Sequence, residues 1–275
     1  MLVKLKLSLL VVFTSVMAYL IVAGSKANLV SILVLSVGGF LVTAAANALN
    51  QVLEKDFDIK MTRTANRPVT AGRMKTSEAV MFAGLACMAG VFMLSMFNPL
   101  TSLLGMLSLI CYSFVYTPLK RYSTIAVAIG AIPGALPALI GVTAFEGSIT
   151  TLGIGLFILQ FLWQFPHFWS IGYLAFDDYQ NAGYKLLPSD DNGNVDRRLG
   201  IHSAFYTLLM VPTVFYLWYT GNASITASVI SLIAAIGYLV YSLKFHKEFE
   251  RSTARKLMFY SFFYLPVILM AYLFI

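Results

Sequence analysis

Three oxygen-bearing side chains recur at intervals of four residues in the first quarter of the chain. Asn50, Glu54 and Asp58 have this spacing, so on a continuous helix they would share one face. Two carboxylates one turn apart repel each other unless a cation lies between them. Because Mg²⁺ takes oxygen ligands and completes its shell with water and phosphate, the spacing predicts a magnesium site. A solvated helix end with scattered ion pairs is the alternative that spacing alone leaves open.

Basic side chains accompany these carboxylates. Arg63 and Arg67 follow them, and Lys120 and Arg121 come after Tyr116 at the end of a later apolar stretch. A guanidinium group suits bidentate contacts with phosphate oxygens. Carboxylates beside arginines at a helix end therefore predict a metal–diphosphate site, although Lys120 and Arg121 also fit an ordinary stop-transfer anchor.

A second polar segment carries further candidate ligands. Asp177 and Asn181 lie one helical turn apart and predict a second, weaker cation site, whereas Asp178 points elsewhere on the same turn. Lys185 follows a chain reversal and is available to a phosphate group.

One histidine lies deep inside an apolar stretch. His167 is about two and a half helical turns inside its predicted span, among aromatic residues that include Trp169 and Tyr173. An ionisable group at that depth is costly and predicts a functional role, and a neutral imidazole is a good axial ligand for haem iron. The alternative is a neutral histidine hydrogen-bonded to a neighbouring helix.

All these side chains belong to a chain whose main solvent is lipid. Of its 275 residues, 59% are apolar and 11% are charged, and the mean hydropathy is +0.79. An ordinary soluble domain is about 45–50% apolar and about 25% charged. The composition therefore excludes a soluble enzyme, a disordered chain and a disulfide-stapled secreted domain. Cys87 and Cys111 lie in apolar stretches and are predicted to stay reduced.

Nine apolar stretches reach or approach the length of about 20 residues that a helix needs to cross a bilayer. Because backbone groups in lipid must be paired within a segment, we predict an all-α, polytopic membrane protein with nine transmembrane helices. The predicted spans are Leu7–Gly24, Ala27–Leu49, Ala79–Phe97, Leu100–Tyr116, Ile125–Phe145, Leu152–Leu174, Ser203–Tyr219, Ile225–Leu243 and Leu257–Ile275.

The basic residues predict the orientation of these spans. With the N-terminus in the cytoplasm, 18 of the 19 Lys and Arg residues fall on the cytoplasmic side and only Lys26 lies opposite, as the positive-inside rule requires. The C-terminus then lies on the opposite side. The cytoplasmic loops at about residues 50–78 and 175–202 are long and polar, so we predict that they carry the site.

The whole pattern resembles the UbiA superfamily of intramembrane prenyltransferases, and within it the protoheme IX farnesyltransferase (haem O synthase) family. The resemblance covers nearly the whole chain. Its motifs are Asn50…Glu54-Lys-Asp56-Phe-Asp58…Arg63-Thr64…Arg67-Pro68, Tyr116-Thr117…Lys120-Arg121, and Pro166-His167-Phe168-Trp169…Asp177-Asp178-Tyr179…Ala182-Gly183…Leu187-Pro188. Two positions depart from the family: Glu54 stands where Asp is usual, and Tyr184-Lys185 replaces a pair made of a small apolar residue and proline.

The resemblance implies a single domain over residues 1–275, built as a UbiA-like bundle with a central cavity open towards the cytoplasm. The implied reaction transfers farnesyl from farnesyl diphosphate to the vinyl group of haem b and forms haem O, with Mg²⁺ as cofactor. The implied metal ligands are Asn50, Glu54, Asp58, Asp177 and Asp178, and all of these except Asp178 are also the implied catalytic residues. The implied diphosphate-binding residues are Arg63, Arg67, Lys120, Arg121 and Lys185, and the implied acceptor-binding residues are His167, Trp169 and Tyr173.

Two other functions stay open on the sequence. A related prenyltransferase for 4-hydroxybenzoate or another quinone precursor would share the metal and diphosphate groups and differ only in its acceptor. A carrier for an anionic lipid or metabolite would place broken helices at mid-membrane, whereas the acidic groups here cluster at the cytoplasmic ends of the spans. The family resemblance also implies the inner (plasma) membrane, and haem A synthase or a terminal oxidase as candidate assembly partners. No feature of the sequence predicts binding to nucleic acid.

Overall fold

The computed structural model describes residues 2–274, which fold into a bundle of helices. Within that range the β pairing is limited to one isolated bridge between Ser189 and Val195, so the prediction of an all-α protein is confirmed. The long helices are α1 (Leu5–Ala23), α2 (Leu29–Leu53), α3 (Thr76–Ser95), α4 (Pro99–Ile110), α5 (Ala126–Glu146), α6 (Thr151–Leu174), α7 (Arg198–Leu208), α8 (Met210–Tyr219), α9 (Ile225–Glu248) and α10 (Arg251–Ala271).

Eight helical segments of the described chain are long and apolar enough to cross a membrane, and α7 with α8 forms one of them. The predicted ninth span corresponds to α6, which has 24 residues. Its polar residues Gln160, Gln164 and His167 lower its hydropathy below that of the other spans. α6 packs against α5, α7 and α10 inside the bundle. The structure is thus that of a polytopic membrane protein in which a long helix with three polar side chains near its middle is packed among the other spans.

Side chains in the short links between spans cap the N-termini of the helices that follow. Asn28, Asn98, Thr150 and Ser224 each accept a hydrogen bond from a backbone N–H in the first turn of α2, α4, α6 and α9, respectively. These bonds satisfy N–H groups that have no partner within the helix. Asn98 also donates to the carbonyl of Thr143 near the end of α5, at 2.7 Å, which ties neighbouring spans together at this end.

The opposite end of the bundle, which we call the polar end, contains the start of α1, the end of α2 and the loops at residues 54–75 and 175–197. The backbone N–H of Lys185 donates to the carbonyl of Lys120 at 2.8 Å. This bond joins the second long loop to the segment that follows α4.

Two helices begin five or more residues earlier than the sequence predicted. α7 begins at Arg198 rather than Ser203, and α10 begins at Arg251 rather than Leu257. Apolarity marks the part of a helix that lies in lipid, and a helix can continue beyond it while long basic side chains extend into water. The predicted boundaries were therefore wrong by five or six residues at these two starts, although the spans themselves were identified.

Helix α5 is the centre of the bundle, and 14 of its 21 residues are buried. Its small residues allow close approach by two neighbours. A Cβ atom on Gly141 would overlap the carbonyl oxygen of Ser15 in α1, and one on Gly134 would overlap the side chain of Gln164 in α6. Glycine at these positions thus sets the distance of α1 and α6 from α5.

Candidate active site

The amide of Asn50 joins three elements at the polar end. Its Nδ2 donates to Glu54 Oε2 at 2.8 Å and to Thr117 Oγ1 at 3.2 Å, while its Oδ1 accepts from the ammonium of Lys4 at 2.9 Å. The Asn50 side chain is only 1% exposed. The carboxylate needs a donor and the ammonium needs an acceptor, so these two partners fix which way the amide points.

Helix α2 ends at Leu53, so the expectation of one continuous helix through Asp58 was wrong. Glu54 has non-helical backbone angles (φ −103°, ψ 4°), and a separate helical turn, Lys55–Asp58, follows. The two carboxylates are still held together, because Arg67 Nη1 lies 2.5 Å from Asp58 Oδ2 and 3.7 Å from Glu54 Oε2. In this arrangement the cation between the carboxylates is a guanidinium group.

Lys120 supplies a second buried cation beside Glu54. Its ammonium contacts Glu54 Oε1 and lies over the rings of Tyr116 and Tyr184, at 4.9 and 5.4 Å from their centroids. Aromatic faces attract a cation in this position. Lys120, a predicted diphosphate-binding residue, is therefore held in place at the polar end by a carboxylate and two aromatic rings.

Burial and neighbouring charges shift pKa values here in different directions. Burial acts to raise the pKa of Glu54, but the ammonium groups of Lys120 and Lys4 outweigh burial and lower this pKa. Burial raises the pKa of Asp58 despite its contact with Arg67. Burial, together with Arg67 and Lys120, lowers the pKa of Lys4 to about 7. An anion bound beside Lys4 would favour its ammonium form and raise this pKa again.

Asp58 carries an atom that fits a further cation. Its side chain is fully buried, and within residues 2–274 its Oδ1 has no hydrogen-bond partner. A buried carboxylate oxygen without a partner is costly, so an added cation would stabilise it. Carboxylate and amide oxygens from Asp58, Glu54 and Asn50 are donors that Mg²⁺ accepts. Among the described residues, no three His, Cys, Asp or Glu side chains form a ready-made metal cluster.

The second polar loop meets the first through Asp178 and its neighbour. Thr62 Oγ1 donates to Asp178 Oδ2 at 2.8 Å, and Arg63 Nη2 donates to the hydroxyl of Tyr179 at 3.3 Å. Asp177, the stronger candidate on sequence spacing, lines a separate cavity instead. The structure thus brings Asp178 to the first loop and leaves Asp177 on the other side of its turn.

That separate cavity has a volume of about 530 Å³ and is polar. Its walls include Tyr173, Asp177, Arg197 and Arg251. The hydroxyl of Tyr173 donates to the carbonyl of Phe249 at 2.7 Å. Two predicted site residues, Tyr173 and Asp177, therefore share a pocket with two arginines rather than with the buried carboxylates.

An apolar cavity of about 260 Å³ lies inside the bundle between α1, α2, α4, α5, α6 and α10. Tyr112 and Tyr116 belong to its wall, and they contact Lys4 and Lys120, respectively. A π-helical segment, Cys111–Tyr116, carries both tyrosines; such segments occur often at functional sites. The apolar cavity therefore lies next to the charged side chains of the polar end, with Tyr112 and Tyr116 between them.

His167 lines the apolar cavity, and its hydrogen-bond partner favours one tautomer. Nδ1 lies 2.7 Å from Ser261 Oγ in α10, and the same hydroxyl lies 2.5 Å from the carbonyl oxygen of Met258. When the hydroxyl proton is directed to that carbonyl, Ser261 accepts from Nδ1–H and Nε2 keeps its lone pair. The imidazole also stacks on Trp163, with ring centroids 4.7 Å apart. The bond to a neighbouring helix and a free ligand nitrogen thus coexist.

Three other predicted site residues lie outside this cavity. Trp169 packs against the rings of α7. The guanidinium of Arg121 lies 3.8 Å from the centre of the Phe57 ring and donates to the carbonyl of Leu53 at 2.7 Å. Lys185 is exposed on the second loop. Arg121 and Lys185 are near the polar end, whereas Trp169 belongs to the packed interior.

Sequence reasoning missed two residues at the site. Lys4 was counted only among the basic residues on one side of the membrane, and no sequence signal predicts that its side chain folds back onto α2. Tyr112 lies one turn before Tyr116, so their shared helix face was a usable signal.

Comparisons with known proteins identify the family of this chain. The model of the UbiA prenyltransferase family matches residues 11–265. A protoheme IX farnesyltransferase from Christiangramia forsetii is 37% identical over 98% of this chain and 90% of its own length, and one from Cytophaga hutchinsonii is 38% identical over 98% and 94%.

Solved structures show the same fold. A digeranylgeranylglyceryl phosphate synthase structure has a TM-score of 0.83 at 18% identity, covering 99% of this chain and 95% of that one. A UbiA homologue from Archaeoglobus fulgidus bound to DMAPP and Mg²⁺ has a TM-score of 0.71 at 14% identity, covering 98% and 97%.

Proposed function

We propose a reaction for this chain on one premise: the chain belongs to the UbiA prenyltransferase family. The reaction is transfer of a farnesyl group from farnesyl diphosphate to a vinyl group of haem b, which releases diphosphate and forms haem O. The observation that carries it is a buried cluster of carboxylates and cations beside an apolar cavity that contains a histidine with a free Nε2. The relatives named protoheme IX farnesyltransferase support this choice of acceptor.

Asn50, Glu54 and Asp58 would hold Mg²⁺ at the polar end, and an aspartate of the second loop would complete the set. Asp178 is the candidate that contacts the first loop, and Asp177 stays the other proposed ligand and catalytic residue. The unpartnered Oδ1 of Asp58 is the observation that supports metal binding. Bound Mg²⁺ would supply charge neutralisation at the diphosphate.

Basic side chains would bind the diphosphate from several directions. Arg67 and Lys120 are positioned by the buried carboxylates, and Arg63 and Lys185 lie on the exposed loops. Arg121, which is stacked on a ring, would act through its charge. Negative charge grows on the diphosphate as the allylic C–O bond breaks, so fixed positive groups stabilise the transition state more than the ground state.

The apolar cavity would shelter the allylic cation from water until the acceptor reacts. Tyr112, Tyr116 and Trp163 present aromatic rings to this cavity, and aromatic faces stabilise a nearby cation. The farnesyl tail would run between helices into the bilayer. A later water molecule would quench the cation on the haem side and give a hydroxyethylfarnesyl arm.

Haem b would be held through His167. Its Nε2 has a lone pair, and its ring is oriented by Ser261 and by stacking on Trp163; a partner at the second nitrogen is typical of a metal-ligating histidine. Trp169 and Tyr173 stay proposed acceptor-binding residues. Since both lie outside the apolar cavity, they would contact only the part of the acceptor that extends beyond it.

We further propose that the chain lies in the inner (plasma) membrane with the polar end in the cytoplasm. The count of 18 of 19 basic residues on one side supports this orientation. The N-terminus would then be cytoplasmic and the C-terminus on the opposite side. An enzyme that consumes haem O, such as haem A synthase, or a terminal oxidase that receives it, is the candidate partner.

An acceptor comparison tests the proposed function. Purified protein in detergent receives farnesyl diphosphate and Mg²⁺, with either haem b or 4-hydroxybenzoate, and diphosphate release is measured. We expect release that depends on haem b and stops when EDTA removes the metal. Release with 4-hydroxybenzoate alone would favour the quinone-type alternative, and no release with either acceptor would contradict both.

A further inference from the structure

The residues at the start of α1 form a short segment, Leu2–Lys4, that crosses the end of α2. Gln51 Nε2 donates to the carbonyl of Leu2 at 2.8 Å, and Asn47 Nδ2 donates to the carbonyl of Val3 at 3.4 Å. Both amide side chains are buried. Buried donors of α2 therefore fix this segment in place.

This segment delivers the ammonium of Lys4 to the polar end of the apolar cavity. Lys4 has left-handed backbone angles (φ 43°, ψ 59°), which are uncommon for a residue other than glycine. Its Nζ lies 2.9 Å from Asn50 Oδ1 and 3.5 Å from the hydroxyl of Tyr112. Lys6, two residues further on, is exposed. Only the first of these two lysines is thus placed at the site.

The contact between Lys4 and Asn50 would compete with metal binding at the amide oxygen. Asn50 directs its oxygen to Lys4 and its nitrogen to Glu54, so the amide oxygen and the Glu54 carboxylate do not face one cation. Rotation of the amide about its terminal bond would exchange the two atoms and bring Oδ1 beside the carboxylate. Lys4 would then lose its acceptor while remaining close to Arg67 and Lys120.

We propose that Lys4 is a further diphosphate-binding residue, which holds Asn50 in the absence of Mg²⁺ and turns to a diphosphate oxygen when Mg²⁺ takes the amide oxygen. The inference rests on the proposed function above. An ammonium group has three donors and binds phosphate oxygens through short, charge-assisted hydrogen bonds. With Lys120 and Arg67, Lys4 would surround the diphosphate with cations from three different segments of the chain.

The test compares Lys4→Gln and Lys4→Arg with a matched control, Lys6→Gln, in purified full-length protein. Calorimetry measures the affinity for inorganic diphosphate at saturating Mg²⁺, and EPR measures the affinity for Mn²⁺ without diphosphate. We expect Lys4→Gln to weaken diphosphate binding about tenfold or more and to strengthen Mn²⁺ binding, because a competing positive charge has gone. Lys4→Arg should restore most of the diphosphate affinity, and Lys6→Gln should match the parent protein in both measurements.

Opposite changes in the two affinities are the signature of the proposal, since a merely damaged site would lose both. Diphosphate affinity unchanged in Lys4→Gln would overturn it, and so would parallel loss of both affinities; Lys4→Met serves as a second neutral variant if Lys4→Gln unfolds. Parent protein that binds magnesium diphosphate but transfers no farnesyl to haem b would contradict the proposed reaction alone. Parent protein that binds no diphosphate would overturn both proposals.

Discussion

The charges of a few side chains at the polar end explain why metal and diphosphate would bind together. Glu54 and Asp58 lie beside three basic side chains, Arg67, Lys120 and Lys4, so the basic groups outnumber the carboxylates by one. A divalent cation added to this group increases the excess of positive charge, and a diphosphate offsets it. We therefore expect each ligand to raise the affinity for the other, as linkage requires.

Asp58→Ala should abolish turnover. Asp58 offers a buried, unpartnered carboxylate oxygen, and its loss removes both a metal ligand and the partner of Arg67. Formation of haem O in membranes should fall by about a hundredfold or more, in line with the loss of a group that stabilises transition-state charge. Asp56→Ala changes an exposed carboxylate in the same turn and should keep near-parental activity. Near-normal turnover in Asp58→Ala would contradict the metal assignment.

His167→Ala should weaken haem binding more than farnesyl diphosphate binding. The imidazole lines the apolar cavity, and its hydrogen bond goes to Ser261 rather than to the charged side chains at the polar end. Titrations with each substrate separately, followed by haem absorbance and by calorimetry, give the two affinities. Ser261→Ala keeps the imidazole and removes its hydrogen-bond partner, so it should cause a smaller loss. Equal losses for both substrates in His167→Ala would refute the haem role.

The helices of this chain could be predicted individually, but their contacts could not. A run of apolar residues identifies a span such as α5 because lipid is the solvent for its whole length. The same signal misplaced the starts of α7 and α10, which continue beyond the apolar part. The pairing of Thr62 with Asp178 joins residues 116 positions apart, and no local pattern specifies it. The spacing of Asp177 and Asn181 on one helix favoured Asp177 over Asp178. Such spacing carries no information about which side chain meets another segment of the chain, and Asp178 is the one that does so.

Packing of α1 on α5 makes a stability prediction. A Cβ atom at Gly141 would overlap the backbone of α1 at Ser15, which cannot move without shifting the helix. Gly141→Ala should destabilise the protein by about 1–3 kcal/mol, the usual cost of overpacking. Thermal unfolding in detergent measures the change. Gly84→Ala is the control, because a Cβ atom there meets nothing within 4 Å; this variant should be neutral or slightly more stable. A parental melting temperature for Gly141→Ala would contradict the close packing.

Over the whole molecule, two chemically different ends organise the fold. Lys4, Lys120 and Arg251 make contacts at the polar end, whereas Ser224 donates to the carbonyl of Phe274 at the other end. The basic residues collect at the polar end, so the sequence was sufficient to predict which segments share an end. The sequence was not sufficient to predict that Lys4 enters the site, because that depends on buried amides of α2.

Labelling of single cysteines tests the proposed orientation. Ser148→Cys lies in a short link and Ser189→Cys lies in the second long loop, and both positions are exposed. In a background without Cys87 and Cys111, a membrane-impermeant maleimide applied to intact cells should label Ser148→Cys and not Ser189→Cys. Both should react after the membrane is opened. The reverse pattern would place the polar end outside and contradict the orientation.

The mass of the pigment made by this protein tests the central claim most directly. Membranes containing the parent protein or Asp58→Ala receive haem b, farnesyl diphosphate and Mg²⁺, and the extracted haem is analysed by mass spectrometry. We predict a haem heavier by one farnesyl group and one hydroxyl, formed by the parent protein and not by Asp58→Ala. Haem b recovered unchanged from the parent protein, while diphosphate is released, would contradict the account.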